Sequence, residues 1–272
     1  MIPPMAKMTD FNGKWALVTG ASAGIGVALA RELARNGAKL ILTARRKERL
    51  EALAVELSGK GTEVRIVLAD LADPAAPQMI YEATEGAGLP VEILINNAGL
   101  GQYGEFARTD LEQEMSQIRV NCNAVVNLTR LFVPRMMERS RGWILILSSV
   151  ASFQPIPFLS TYAATKVFDR FFALGLAEEL APSGLKVTAL CPGPTESEFF
   201  EVAGSAKFPS SSRMTSHKRQ SAEEVARLGL EGLVNGRRTV VPYFGGRMIN
   251  IMSRLLPVGL ITKIIANSAR PK

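Results

Sequence analysis

Short apolar runs rich in β-branched residues alternate along the chain with longer segments whose apolar positions recur every three to four residues. This is the pattern of strands alternating with helices. The runs Trp15–Val18, Lys39–Thr43, Val64–Leu68, Ile93–Ile95, Trp143–Leu147, Lys186–Leu190 and a late Thr239–Val241 are the predicted strands. Most are continuously apolar, as strands covered by helices on both faces must be. Helices are predicted near 24–36, 46–58, 74–86, 109–139, 160–182 and 222–234. Asn36-Gly37 and Ser183-Gly184 tolerate the left-handed backbone that ends a helix. The expected fold is α/β, a Rossmann-like doubly wound parallel sheet. No repeat, low-complexity run or linker divides the chain, so residues 1–272 are predicted to form a single domain with its core at 11–200. Segment 196–221 has weak periodicity and is expected to be a loop near the substrate. Residues 244–272 are expected to form a C-terminal helical extension, interrupted by Pro257.

A length of 272 residues with 47% apolar side chains supports a sizeable core and argues against disorder. Two cysteines, Cys122 and Cys191, are too few for a disulfide framework, so a cytoplasmic location is expected. No apolar run is long enough to span a bilayer, and with one histidine, His217, no cluster has metal-ligand spacing. The net charge of +7 is uneven: residues 1–203 carry 20 basic and 22 acidic groups, residues 204–272 carry 12 and 3. A basic body would suggest nucleic acid. A basic tail holding LLPVGLITKII suggests instead a solvated end, or a docking surface for anionic lipid, acidic substrate or partner.

The first predicted strand runs into Thr19-Gly20-Ala21-Ser22-Ala23-Gly24-Ile25-Gly26 and then directly into a helix. Glycines let backbone approach a pyrophosphate, and a helix N-terminus aims free N–H groups at the anion. Gly20, Ser22 and Gly24 also satisfy the G-x-S-x-G elbow of serine hydrolases. That chemistry needs an upstream oxyanion loop, which the short preceding stretch lacks, and its sole base would be His217, which reads as a surface or loop residue. At the end of the second strand, Ala44 stands where an acid would bind a ribose 2′-hydroxyl, and Arg45, Arg46 and Lys47 follow. This favours NADP(H). Arg45 is the expected 2′-phosphate contact, with Arg46 and Lys47 as solvated charges opening a helix.

Tyr162 and Lys166 stand four residues apart, on one face of a predicted helix. A free phenol has a pKa of about 10, and a neighbouring ammonium stabilises the phenolate, so such a pair can exchange a proton with a carbonyl oxygen. Ser149 follows the strand Trp143–Leu147, at the carboxyl edge where open α/β sheets bind ligands. Ser148 is its rival.

Together these residues resemble the short-chain dehydrogenases/reductases over roughly residues 11–200. TGASAGIG at 19–26 is similar to that family's cofactor loop, which implies that Thr19 braces the turn while Gly20, Ser22, Gly24, Ile25 and Gly26 meet the cofactor. Asp70-Leu71 resembles the pair flanking adenine, and Asn96-Asn97-Ala98-Gly99 the NNAG segment near the ribose. Asn121 matches the asparagine that completes a catalytic tetrad with Ser149, Tyr162 and Lys166. Pro192-Gly193 with Thr195 and Ser197 resembles the loop gripping the nicotinamide carboxamide. Ala124 and Ser197 are mild departures, since the family often has glycine and threonine there. The resemblance implies a seven-stranded sheet of order 3-2-1-4-5-6-7 and a homodimer or homotetramer built on the helices near 109–139 and 160–182.

The activity implied is hydride transfer between NADP(H) and an apolar ketone, aldehyde or secondary alcohol, with Tyr162 as general acid and base. A cofactor-binding sensor or scaffold without turnover is the alternative. An epimerase is weaker, because the glycine spacing differs from that of the extended, sugar-modifying branch. Phe153, Pro155, Ile156, Phe158, Phe199, Phe200 and Leu100–Tyr103 are candidate pocket walls. The extension at 244–272 is expected either to roof the substrate pocket or to rest on an anionic membrane face.

Overall fold

Side chains alternate in direction along a strand, and in the computed structural model, which describes residues 8–204 and 219–271, that alternation divides the core into two layers. Seven parallel strands, β1 (Trp15–Thr19), β2 (Lys39–Ala44), β3 (Val64–Leu68), β4 (Val91–Asn96), β5 (Gly142–Leu147), β6 (Leu185–Leu190) and β7 (Thr239–Val240), pair in the order β3-β2-β1-β4-β5-β6-β7. Ala16, Val18, Leu40, Leu42, Ile93, Ile95 and Leu145 point to one face, under α1 (Gly24–Arg35), α2 (Lys47–Ser58) and a later helix, Ala222–Val234. Leu17, Ile41, Leu94, Ile144, Ile146 and Val187 point to the other, under α3 (Ala76–Glu82), α5 (Ala124–Glu138) and α6 (Ser160–Glu179). The expected doubly wound sheet is therefore present.

The sequence pattern overreaches at two places. At the sheet edge, β3 leaves Ile66 and Leu68 partly exposed, so its apolar run is not covered on both faces in the single chain. The helix expected over 109–139 is two helices, α4 (Leu111–Ile118) and α5, joined by a π-helical turn at Arg119–Asn123. One extra residue per turn leaves the apolar face nearly continuous, so the break is invisible to periodicity, and Asn121 lies within it. Gly37 and Gly184 adopt φ of 78° and 77°, the left-handed ends that the Asn-Gly and Ser-Gly pairs suggested.

After α7 (Phe199–Val202), part of the expected substrate loop, including His217, lies outside the described residues. The chain resumes with Gln220 bridging Thr195, then α8 (Ala222–Val234), β7, α9 (Phe244–Leu255) and α10 (Val258–Ala269). Pro257 separates the last two helices, as its missing N–H and fixed φ require.

Candidate active site

At the carboxyl edge of the sheet lies a cleft of about 670 Å³. Its floor is the turn between β1 and α1. Gly20 and Gly24 have φ of 66° and 52°, and a Cβ at Gly20 would sit 2.9 Å from the Cα of Ala98. A Cβ at Gly26 would overlap the Gly20 carbonyl. The loop is thus held open by glycine, with the N-terminus of α1 behind it, as an anionic group would need. Thr19 stands behind this turn and does not line the cleft. Its Oγ1 donates to the Ile95 carbonyl at 3.1 Å and accepts from the N–H groups of Asn97 and Ala98 at 2.9 and 3.0 Å. Thr19 therefore clamps the glycine turn to the NNAG segment, the bracing role expected of it, and is not a direct ligand contact.

Gly20, Ser22, Gly24, Ile25 and Gly26 line the cleft, as do Asp70, Leu71, Asn97, Ala98 and Gly99 further along, and Pro192, Gly193, Thr195 and Ser197 beyond β6. Arg45 and Arg46 both reach it, but they differ in fixation. Arg45 is largely exposed, its guanidinium 3.8 Å from the Asp70 carboxylate. Arg46, expected to be merely solvated, donates through Nε and Nη2 to Ser22 Oγ at 3.1 and 3.0 Å and through Nη1 to Glu198 at 2.7 Å. Arg49 holds the other oxygen of that carboxylate, and the two arginines depress the Glu198 pKa below the usual carboxylate value. Ser22 thus faces a guanidinium, not a base, which disposes of the hydrolase elbow.

On the opposite wall, α6 presents Tyr162 and Lys166, while Ser149 caps the short turn after β5. Ser148 spends its hydroxyl on the Lys166 carbonyl at 2.7 Å, which leaves Ser149, hydrogen-bonded to Tyr162, as the serine of the site. Lys166 Nζ donates to the Leu147 carbonyl at 2.7 Å and to Asp169 at 2.9 Å. Asn121 is fully buried: its Oδ1 accepts from Leu100 N–H at 2.8 Å, and its Nδ2 donates to the Leu100 carbonyl and to Thr165 Oγ1 at 2.9 Å. It positions the Leu100 segment and Thr165, one residue before Lys166, without lining the cleft.

Burial raises the Tyr162 pKa above that of a free phenol, against the opposing pull of the Lys166 ammonium and the Ser149 hydroxyl. For Lys166 burial favours the neutral amine, but the Asp169 carboxylate together with Tyr162 and Cys122 outweighs it and the net direction is upward. Burial raises the Asp169 pKa as well, opposed by Lys166. The two thiols, both pushed up to about 11 chiefly by burial, take no part: Cys122 lies in the π turn and Cys191 under the sheet edge.

Strand order, glycine turn and the α6 pair together narrow the field, and the sequence pattern described as short chain dehydrogenase matches residues 14–208. The chain belongs to the short-chain dehydrogenase family. Among relatives, the zebrafish (Danio rerio) very-long-chain 3-oxoacyl-CoA reductase-A is 34% identical over 93% of this chain and 77% of its own length. The duck (Anas platyrhynchos) very-long-chain 3-oxoacyl-CoA reductase is 38% identical over 66% of this chain, and the match spans only 59% of the duck protein. A short-chain dehydrogenase from Sphingobium yanoikuyae, solved in complex with NADPH, has a TM-score of 0.79 at 32% identity, covering 91% of this chain and 94% of its own.

Two features of this short-chain dehydrogenase, Asp169 and Glu198, were missed in the sequence. Asp169 stands three residues beyond Lys166, a helical spacing that was available to find it. Glu198 reaches Arg46 across 152 residues, which no local pattern reveals. The far wall of the cleft comes from α9 and α10, through Ile249, Ile264, Ile265 and Ser268. Of the expected walls, Leu100, Gly101, Ile156 and Phe199 line the cleft, the Phe199 ring 5.0 Å from that of Tyr162. Phe153 packs instead under the Arg170 guanidinium, and Tyr103 is buried, its hydroxyl donating to the Ala269 carbonyl at the end of α10. Pro155, Phe158 and Gln102 do not line the cleft, and the Phe200 side chain lies outside the described residues.

Proposed function

We propose that the protein is an NADP(H)-dependent carbonyl reductase acting on an apolar ketone or aldehyde, and on the secondary alcohol in reverse. The observation that carries this is the convergence of Tyr162, Ser149 and Lys166 on a cleft whose other half is a glycine-walled anion seat. The residues fit the dinucleotide: a Cβ at Gly20 or Gly26 would strike Ala98 or the Gly20 carbonyl and force apart the tight turn that offers its backbone to a pyrophosphate, and no carboxylate stands at Ala44 to repel a 2′-phosphate. Arg45, Arg46 and Ser22 would hold that phosphate, Asp70 and Leu71 the adenine, and Pro192–Ser197 the nicotinamide end. Bound there, the reduced nicotinamide supplies the hydride. NADPH in the similar Sphingobium protein supports this choice of cofactor.

For reduction, Tyr162 gives its hydroxyl proton to the carbonyl oxygen as the carbon gains hydride, and Ser149 holds that oxygen by a hydrogen bond. Lys166 stabilises the phenolate left behind, and Asp169 keeps Lys166 charged. The reverse reaction uses the phenolate as base. The apolar walls, Ile156, Phe199, Ile249, Ile264 and Ile265, support an apolar substrate. A homodimer belongs to the same proposal, because α4 and α6 expose Leu111, Met115, Ile118, Phe168 and Phe171.

The test is loss of NADPH absorbance with a panel of ketones and aldehydes, comparing the parent with Tyr162→Phe. Turnover by the parent and a loss of at least about a hundredfold in Tyr162→Phe are expected, with NADPH binding retained. Equal, negligible rates for both would overturn the reductase and leave a cofactor-binding sensor.

A further inference from the structure

Helix α9 is inverted relative to a helix that packs on a core. Phe244, Met248, Ile251, Met252 and Leu255 recur at spacings of three and four and share one face. That face is the exposed one: Phe244 is 73% exposed, Leu255 72% and Ile251 51%. The side toward the protein is small or mixed, with Gly246 buried against Val150 and Val241, and Ile249 at the cleft. Beyond Pro257, α10 adds exposed Val258 and Leu260, while Ile264, also exposed, stands at the rim of the cleft.

Charge identifies what covers this surface. From Gly232 to Lys272 the chain carries Arg237, Arg238, Arg247, Arg254, Lys263, Arg270 and Lys272 and no aspartate or glutamate. Arg238 is paired with Glu178. Arg247 and Arg254, two helical turns apart, run along one edge of the α9 apolar stripe, and Lys263 is exposed on α10 near Leu260 and Ile264. A second copy docking the same patch about a two-fold axis would bring arginine against arginine with no acid from this segment to separate them. An anionic bilayer surface answers both features, since acyl chains accept the apolar ridge while phosphate headgroups meet the flanking guanidinium groups.

We propose that the outer face of α9 and α10 docks on the surface of an anionic lipid bilayer, with the Phe244–Leu255 ridge inserted and Arg247, Arg254 and Lys263 at headgroup level. The inner sides of the same helices line the cleft, and the Tyr103–Ala269 hydrogen bond ties the end of α10 to the body. Docking would therefore set the roof of the cleft against the membrane. The contact is peripheral: among the described residues no helix is long and apolar enough to cross a bilayer.

The test is co-sedimentation of the full chain with phosphatidylcholine vesicles and with vesicles that also contain phosphatidylglycerol. Binding should be at least about tenfold tighter to the anionic vesicles and weaken in high salt. The double variants Ile251→Asp/Leu255→Asp and Arg247→Glu/Arg254→Glu should each lose about tenfold or more, while Leu111→Asp on α4 retains binding. Unchanged melting temperatures would exclude misfolding, as expected for exposed positions. Equal binding to both vesicle types, or binding indifferent to the α9 variants, would overturn the proposal. So would an oligomer that Ile251→Asp/Leu255→Asp disperses in a protein that ignores vesicles, which would assign the face to a second copy. None of these readouts depends on turnover, so the docking surface and the reductase stand or fall separately.

Discussion

Asp169 sits one turn beyond Lys166 with 1% of its side chain exposed, and its Oδ1 has no hydrogen-bond partner. Removing one member of a buried ion pair costs more than the pair contributes, because the other charge is left without compensation. Asp169→Asn keeps the shape and is expected to lower unfolding free energy by about 3–5 kcal/mol in a urea titration. Without the carboxylate, burial is opposed only by Tyr162 and Cys122, and the Lys166 pKa moves down from its value in the parent. The variant's reductase rate should then fall on the alkaline side at lower pH than the parent's. The tyrosine and lysine were legible because four-residue spacing fixes a shared face. The difference between Arg45 and Arg46 was not, since the carboxylate that fixes Arg46 arrives from α7 through the fold.

Helices α1 and α2 cover the same face of the sheet and are joined by Arg31, whose Nε and Nη2 donate to the two oxygens of Glu56 at 3.1 and 2.7 Å. That contact, with Lys60 adding to it, holds the Glu56 pKa down at about 2. A depressed folded value means the bridge stabilises above the ordinary carboxylate pKa of about 4.3 and is lost as pH falls through about 2. Glu56→Gln should therefore lower the melting temperature at neutral pH, by an amount equivalent to less than about 1 kcal/mol for this half-exposed pair, and the gap should close in strong acid. Elements of this kind were readable from periodicity, and every expected strand is present within about two residues. Periodicity was silent where an element changes its winding without changing its face, as in the π turn that carries Asn121.

Across the whole molecule, two exposed apolar surfaces differ in charge. On α4 and α6, Leu111, Met115 and Phe171 stand among acidic and basic groups of both signs, including the Glu112–Arg119 pair. That mixture suits a self-complementary contact. Phe171→Asp is expected to convert a dimer to a monomer in light scattering, with little change in melting temperature of the monomeric unit, because the ring is 61% exposed in the single chain. The C-terminal surface carries one sign of charge only. The charge asymmetry and the apolar run were plain in the sequence, but a helical pattern states that an apolar face exists, not whether it turns inward or outward. Only the docked position of Gly246 and Ile249 decides that α9 turns it outward.

The two thiols, Cys191 buried and Cys122 half-buried, have a chemical consequence of their own. With values near 11, each would be ionised in roughly one molecule in ten thousand at neutral pH. The folded chain thus offers almost no thiolate, so mercurials and thiol-directed electrophiles should find little to attack, whereas peroxide would act first on exposed methionines such as Met248 and Met252.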